Sequence, residues 1–156
     1  MPIKAYHLKH LTGIKLKTFL AFADRIIPPD DDSPGGGTMQ TAGVVDWALE
    51  KMQKDLRKKF MLFITVVEIF GYFFGGKPFS KCNDAAKDRE LRWLENNPIR
   101  LFRMGFFGVK TYSCMGYYSR EDVWRTFDYD GPIVSDRPYV DSIIREMCQG
   151  KVQVVE

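Results

Sequence analysis

The sequence predicts an all-α fold: a single-domain irregular helical bundle around one long central helix, with extended loops and a C-terminal tail. Three observations point that way. Apolar residues recur in steps of three and four over most of the chain. Proline and glycine gather where that rhythm stops, at Pro28-Pro29, Gly35-Gly36-Gly37 and Gly75-Gly76-Lys77-Pro78. Only the tail, KVQVVE, alternates in the manner of a strand.

The first helix is predicted over LTGIKLKTFLAFADRII, where Leu16, Leu20, Ala23 and Ile27 share a stripe flanked by Phe19 and Ile26. Thr12 suits its N-cap, and Pro28-Pro29 stops it, because proline disfavours helical geometry in the residue before it. The second pattern runs through Val45, Leu49, Met52, Leu56, Phe60, Phe63, Val67 and Phe70, and the segment becomes apolar on nearly all sides after Phe60. Unbroken, this spine would be roughly 40 Å long at about 1.5 Å per residue. A charged, exposed helix is expected over Asp84 to Glu95, with Leu91 and Leu94 inward. Asn97-Pro98 then opens a helix with asparagine at the cap and proline first, burying Ile99, Phe102, Phe106 and Val109. Gly105 and Gly108 mark another face of it, where a neighbouring backbone has room to approach. Ser119 to Asp122 resembles a weak capping box opening a short helix through Val123, Trp124 and Phe127.

At 156 residues the chain suits one domain with a proper core. We read 1–156 as one helical unit with its core at 11–132 and a C-terminal extension over 133–156. An apolar share of 45% and 12 Phe, 7 Tyr and 3 Trp argue for a large buried surface, part of it available to a partner. A net charge of +3 carries no nucleic-acid footprint. Cys82, Cys114 and Cys148 lie far apart, without CxxC or CxxCH, and read as buried or semi-buried thiols. The apolar stretch Phe19 to Ala23 is too short for a secretory signal. Phe60 to Phe74, at about 15 residues, falls short of a membrane span and reads as a core helix.

Little in the chain points to catalysis. His7 and His10 are read as solvent-facing, without a third ligand for zinc nearby. Asp30-Asp31-Asp32 lacks the register of a calcium loop. Gly35-Gly36-Gly37 lacks the GKS/T ending of a phosphate loop and reads as slack with permissive dihedrals. Lys54, Arg57, Lys58 and Lys59 read as the wet face of the long helix. No GxSxG or dinucleotide fingerprint is present, and adjacent pairs such as Glu121-Asp122 do not face each other on a helix. Glu68, in the most apolar stretch, is the odd residue. It supports an alternative reading, a stand-alone helical enzyme or binding module with a pocket around Glu68, or a buried pair with Arg100 or Arg103.

Read in order, FADRIIPPDDDSPGG, AGVVDWALEKM and GYYSREDVWRTFDYDGP resemble the gluconate 2-dehydrogenase subunit 3 family, the small subunits of FAD-dependent sugar and alcohol dehydrogenase complexes. The positions that carry the resemblance are Asp24, Ile26, Ile27, Pro28, Pro34, Gly35, Gly43, Val44, Trp47, Gly116, Tyr117, Tyr118, Tyr129, Gly131 and Pro132. It spans roughly residues 11 to 132, with Asp128 where glycine is usual and extra glycines in the loop. The resemblance implies a small subunit with no cofactor of its own. Its partner would be a large FAD-binding oxidoreductase of the glucose–methanol–choline type, with a cytochrome c subunit where the complex has one. It implies support of that flavoprotein's maturation or export, and partner contact through Tyr117, Tyr118, Trp124, Tyr129, Gly131, Pro132 and the tail from Ile133. Family members commonly carry a twin-arginine signal before the first helix, and none stands here. The resemblance therefore implies the periplasm with a partner, and the missing signal the cytoplasm.

Overall fold

The computed structural model describes residues 4–131 and 141–156. They form helices α1 (Gly13–Ile26), α2 (Met39–Lys51), α3 (Lys54–Gly75), α4 (Asp84–Glu95), α5 (Arg100–Tyr118), α6 (Glu121–Trp124) and α7 (Ser142–Cys148). Two short strands, β1 (Lys4–His7) and β2 (Val152–Val155), pair in parallel, with Lys4 opposite Val152 and His7 opposite Val155. The fold is all-α apart from that ribbon. Among the described residues no helix is long and apolar enough to cross a membrane.

The bundle follows from which faces of α3 are apolar. Phe60 meets Tyr112 and Phe70 meets Phe102, so α3 and α5 run antiparallel side by side. The neighbouring face of α3, with Ile64 and Gly71, turns to α1 and to a short 3-10 turn at Phe79–Lys81. Phe22 of α1 packs against Phe106 of α5, so Phe19, Phe22, Ile64, Val67, Leu94 and Phe106 share one core. α4 closes one side, where Arg25 makes a two-pronged pair with Asp88 at 2.8 and 2.9 Å. α2 crosses the other end, against α5 and α7.

The spine is not one helix. The pattern from Val45 to Phe70 breaks at Met52 and Gln53, whose ψ values of 145° and 136° are extended. No proline or glycine marks the break, so periodicity alone ran through it. The Arg57 guanidinium donates to the Leu49 and Glu50 carbonyls at 3.1 and 3.4 Å, replacing the bonds a continuing helix would have made. The following helix does run long, to Gly75, and stops at Gly76 with φ of +68°.

Other expectations shift by small amounts. α5 starts two residues later than Asn97-Pro98 suggested; the Asn97 side chain accepts from the Ile99 amide, and Ile99 itself is exposed. Gly105 faces the Phe63 ring, not a backbone, and Gly108 faces open space. α4 is not simply exposed, because Ala86 and Glu90 are buried with Leu91 and Leu94. The tail is a strand, as its alternation suggests, and Val152 and Val154 point inward. With Met147 they seat on α2, where a Cβ at Gly43 would lie 2.6 Å from Val154 and 2.8 Å from Met147. Within 141–156, Ile144, Met147, Val152 and Val154 are thus buried in the core.

One buried carboxylate holds the N-terminal segment against this bundle. Asp46 on α2 is wholly buried and accepts from the Lys9 amide at 2.9 Å, the His10 and Leu11 amides at 2.8 Å, and the Tyr6 hydroxyl at 3.0 Å. Burial and the adjacent Asp46 charge hold the Tyr6 phenol above its ordinary range, so it stays a donor. Asp46→Ala would strand three amides and a hydroxyl away from water. We expect it to cost about 3–5 kcal/mol in urea unfolding, and Asp46→Asn less; a loss under about 1 kcal/mol would contradict this role.

Candidate functional site

The acidic, glycine-rich loop after α1 is a packed connection. Gly35 adopts φ of +73°, and the Gly36 amide donates to the Ile27 carbonyl at 2.8 Å. A Cβ at Gly36 would lie 2.6 Å from the Ala23 carbonyl oxygen, and one at Gly37 would lie 2.8 Å from the Leu20 carbonyl oxygen. These glycines let the loop lie back on the end of α1, so close approach and not slack explains them. Asp30, Asp31 and Asp32 are exposed, and Asp32 only turns its amide onto the Asp30 carboxylate at 3.0 Å. Among the described residues no three His, Cys, Asp or Glu side chains gather as a metal set.

The tyrosine motif is split between bracing and display. Tyr117 is 4% exposed and its hydroxyl meets Ser33, which pins the loop to α5. Trp124 donates to the Tyr118 carbonyl at 2.6 Å and packs its ring on Tyr129 at 5.5 Å. Gly131, with φ of +97°, lies against the Trp124 ring. Tyr118, Phe127 and Tyr129 remain exposed, and Phe127 and Tyr129 stack at 6.3 Å. Pro132 and residues 133–140 lie outside the described residues. Beneath the cluster sits a buried arginine the sequence reading passed over. Arg120 grips Asp122 and donates to Thr38, the residue that caps α2, at 2.6 Å. Its signal was the Arg-x-Asp spacing beside a helix start.

Among the described residues Glu68 has no arginine partner. It accepts from the Thr18 hydroxyl at 2.8 Å, the Ser80 amide at 2.9 Å and the Ser80 hydroxyl at 2.7 Å. Arg103 instead donates to the Asn97 carbonyl at 2.5 Å. The residue the sequence reading missed is Glu90 on α4. It is 0% exposed, neither oxygen has a hydrogen-bond partner among the described residues, and burial followed by the Glu68 charge pushes its pKa up to about 8. Glu90 thus holds a proton at neutral pH. The pattern Glu90-Leu91 with Leu94 placed it at the edge of the apolar stripe, too weak a sign to separate it from its exposed neighbours.

The broadest exposed feature lies elsewhere. The third face of α3 carries Leu62, Val66, Ile69 and Phe73 in steps of four, three and four. The outer face of α5 carries Leu101, Met104 and Met115 beside it. Both face away from α1. Phe73 is 81% exposed, Leu101 71% and Leu62 64%, far above the values of the core residues. At one end Phe70, Phe73, Phe74, Trp93 and Phe102 join edge to face or tilted, with centroids 5.5–5.9 Å apart. The sequence points to a core helix over Phe60 to Phe74, enclosed on nearly all sides; the exposure of Leu62, Ile69, Tyr72 and Phe73 corrects this, because one face of α3 has no described element packed on it.

Comparisons with protein-family models, with curated proteins and with solved structures find no match to this chain.

Glu90 makes a pH prediction. Between an ordinary carboxyl value near 4.5 and about 8, the unfolded chain ionises at this position while the folded chain keeps its proton. The folded state binds more protons there, so stability falls as pH rises through that interval and levels off above it. Asp88, held low by its hydrogen bonds to Arg25, acts with the opposite sign, but below about pH 4. Urea unfolding should show a decline of roughly 3–5 kcal/mol between pH 5 and 8.5, much reduced in Glu90→Gln. An equal slope in both proteins would contradict a buried, protonated Glu90.

Proposed function

We propose that this chain is a non-catalytic helical accessory subunit that docks on a larger protein through the outer face of α3 and α5. The observation that carries this reading is that continuous apolar face, rimmed by aromatic rings and left uncovered by the chain's own described elements. An interface core is expected to be apolar and aromatic-rich in this way. The partner's identity rests on the resemblance set out above: a membrane-associated or periplasmic FAD-dependent flavoprotein that oxidises a sugar or alcohol, whose maturation or export the small subunit supports. FAD then belongs to that partner, and a cytochrome c subunit takes electrons where one is present. The exposed Tyr118, Phe127 and Tyr129 form a second, smaller contact area.

A second reading, a stand-alone enzyme around Glu68, draws support from one observation, the unpartnered Glu90. Its weakness is that both Glu68 oxygens are already taken up by three hydrogen bonds from Thr18 and Ser80, which hold the group as a clip between elements.

The test is capture of the tagged chain from its native host, with an absorbance spectrum of the eluate. A yellow, FAD-bearing protein several times its mass is expected. Phe73→Asp combined with Leu101→Asp should abolish capture, and Tyr118→Ser with Tyr129→Ser should reduce it less. A colourless partner lost in the same aspartate variant would keep the docking face and overturn the flavoprotein. A colourless monomer eluting alone would overturn both.

A further inference from the structure

We propose that the groove between the β1–α1 connection and the first turns of α3 binds a small amphiphile, a phosphate or carboxylate carried on an apolar chain. This groove borders the docking face and shares Leu62 with it, but its cationic side lies outside that face and the proposal does not rest on the accessory-subunit reading. The groove holds about 440 Å³ and is open on one side, a size suited to a single small ligand. Lys9, His10, Lys15, Arg57 and Lys58 line it.

Charge is the first argument. Among the described residues one carboxylate answers these five side chains: Glu50, which meets His10 at 2.7 Å and Lys9 at 3.7 Å. Lys15 is half-buried and Lys58 exposed, and neither has an ion-pair partner among the described residues. Arg57 turns one nitrogen onto the end of α2, at the Leu49 and Glu50 carbonyls, and its remaining N–H groups have no acceptor among the described residues. A half-buried ammonium without a counter-charge is costly, and an oxyanion in the groove removes that cost.

The floor is the second argument. Met61 and Leu62 line the same groove, and Leu62, 64% exposed, leads along α3 towards Ile69. A free inorganic anion would leave this apolar surface wet, whereas an amphiphile covers it. No Phe, Tyr or Trp lines the groove, and its one ring, the His10 imidazole, is held by Glu50, so it lacks the array of stacking rings that single-stranded nucleic acid uses. The cationic turn is held rigid, because the Lys9 and His10 amides are tied to Asp46. The site is thus preformed, which lowers the ordering cost of binding.

Titration calorimetry on the purified chain tests this with dodecyl phosphate and dodecanoate below their micelle concentrations. Inorganic phosphate, dodecyl maltoside and vesicles with and without phosphatidylglycerol serve as the other arms. We expect saturable one-to-one binding of the two anionic amphiphiles, at least about tenfold tighter than inorganic phosphate or the neutral detergent. Lys15→Glu and Lys58→Glu should each weaken it about tenfold with unchanged thermal unfolding, and Leu62→Gln should weaken amphiphile but not phosphate binding. Equal affinity for inorganic phosphate would make this a plain anion site and overturn the proposal. Binding to anionic vesicles without binding of the monomeric amphiphiles would overturn it in favour of a membrane surface. Binding indifferent to both lysine reversals would overturn it outright.

Discussion

The architecture depends on a single buried acceptor. Asp46 gathers three consecutive amides and a tyrosine hydroxyl, and by doing so converts an N-terminal segment with little helical or strand preference into a fixed turn. Fixing that turn positions β1 beside β2, which brings the C-terminal valines onto α2. It also starts α1 at the right place to lay Phe19 and Phe22 into the core. The two chain ends are thereby tied to the middle through one side chain. A buried carboxylate is tolerable only because all its demand is met by donors.

Three buried carboxylates show how environment assigns different parts to the same group. Asp46 has four donors and organises backbone. Glu68 has three, and clips α1 and the 3-10 turn to α3. Glu90 has none and is tolerated in its neutral form. Burying Glu90 without a hydrogen-bond partner among the described residues costs stability.

Helix content and the approximate place of each helix were legible because apolar spacing is a local signal, and α1 and α4 show it most clearly. The break at Met52-Gln53 was not, since it is enforced by Arg57 reaching back to α2 rather than by a residue that cannot be helical. β1 escaped notice because a four-residue strand earns its conformation from its partner, here the far end of the chain. The glycine triplet was recognisable as a connection, yet its reason, contact with α1 carbonyls, exists only in the folded state. For the site, the motif-bearing tyrosines were legible and partly misleading, because Tyr117 is spent on Ser33. The apolar outer face of α3 was visible in its periodicity, but not its exposure. A helix apolar all round can be enclosed or displayed, and sequence alone does not separate the two.

The central claim is that the outer face of α3 and α5 meets a partner. Hydrogen–deuterium exchange of the chain, alone and in the complex captured from its host, addresses it directly. Protection should rise over Leu62 to Phe73 and Leu101 to Gly108, with the Asp46-tied turn slow in both states. Unchanged exchange on those two stretches, with new protection confined to Tyr118 to Tyr129, would contradict it.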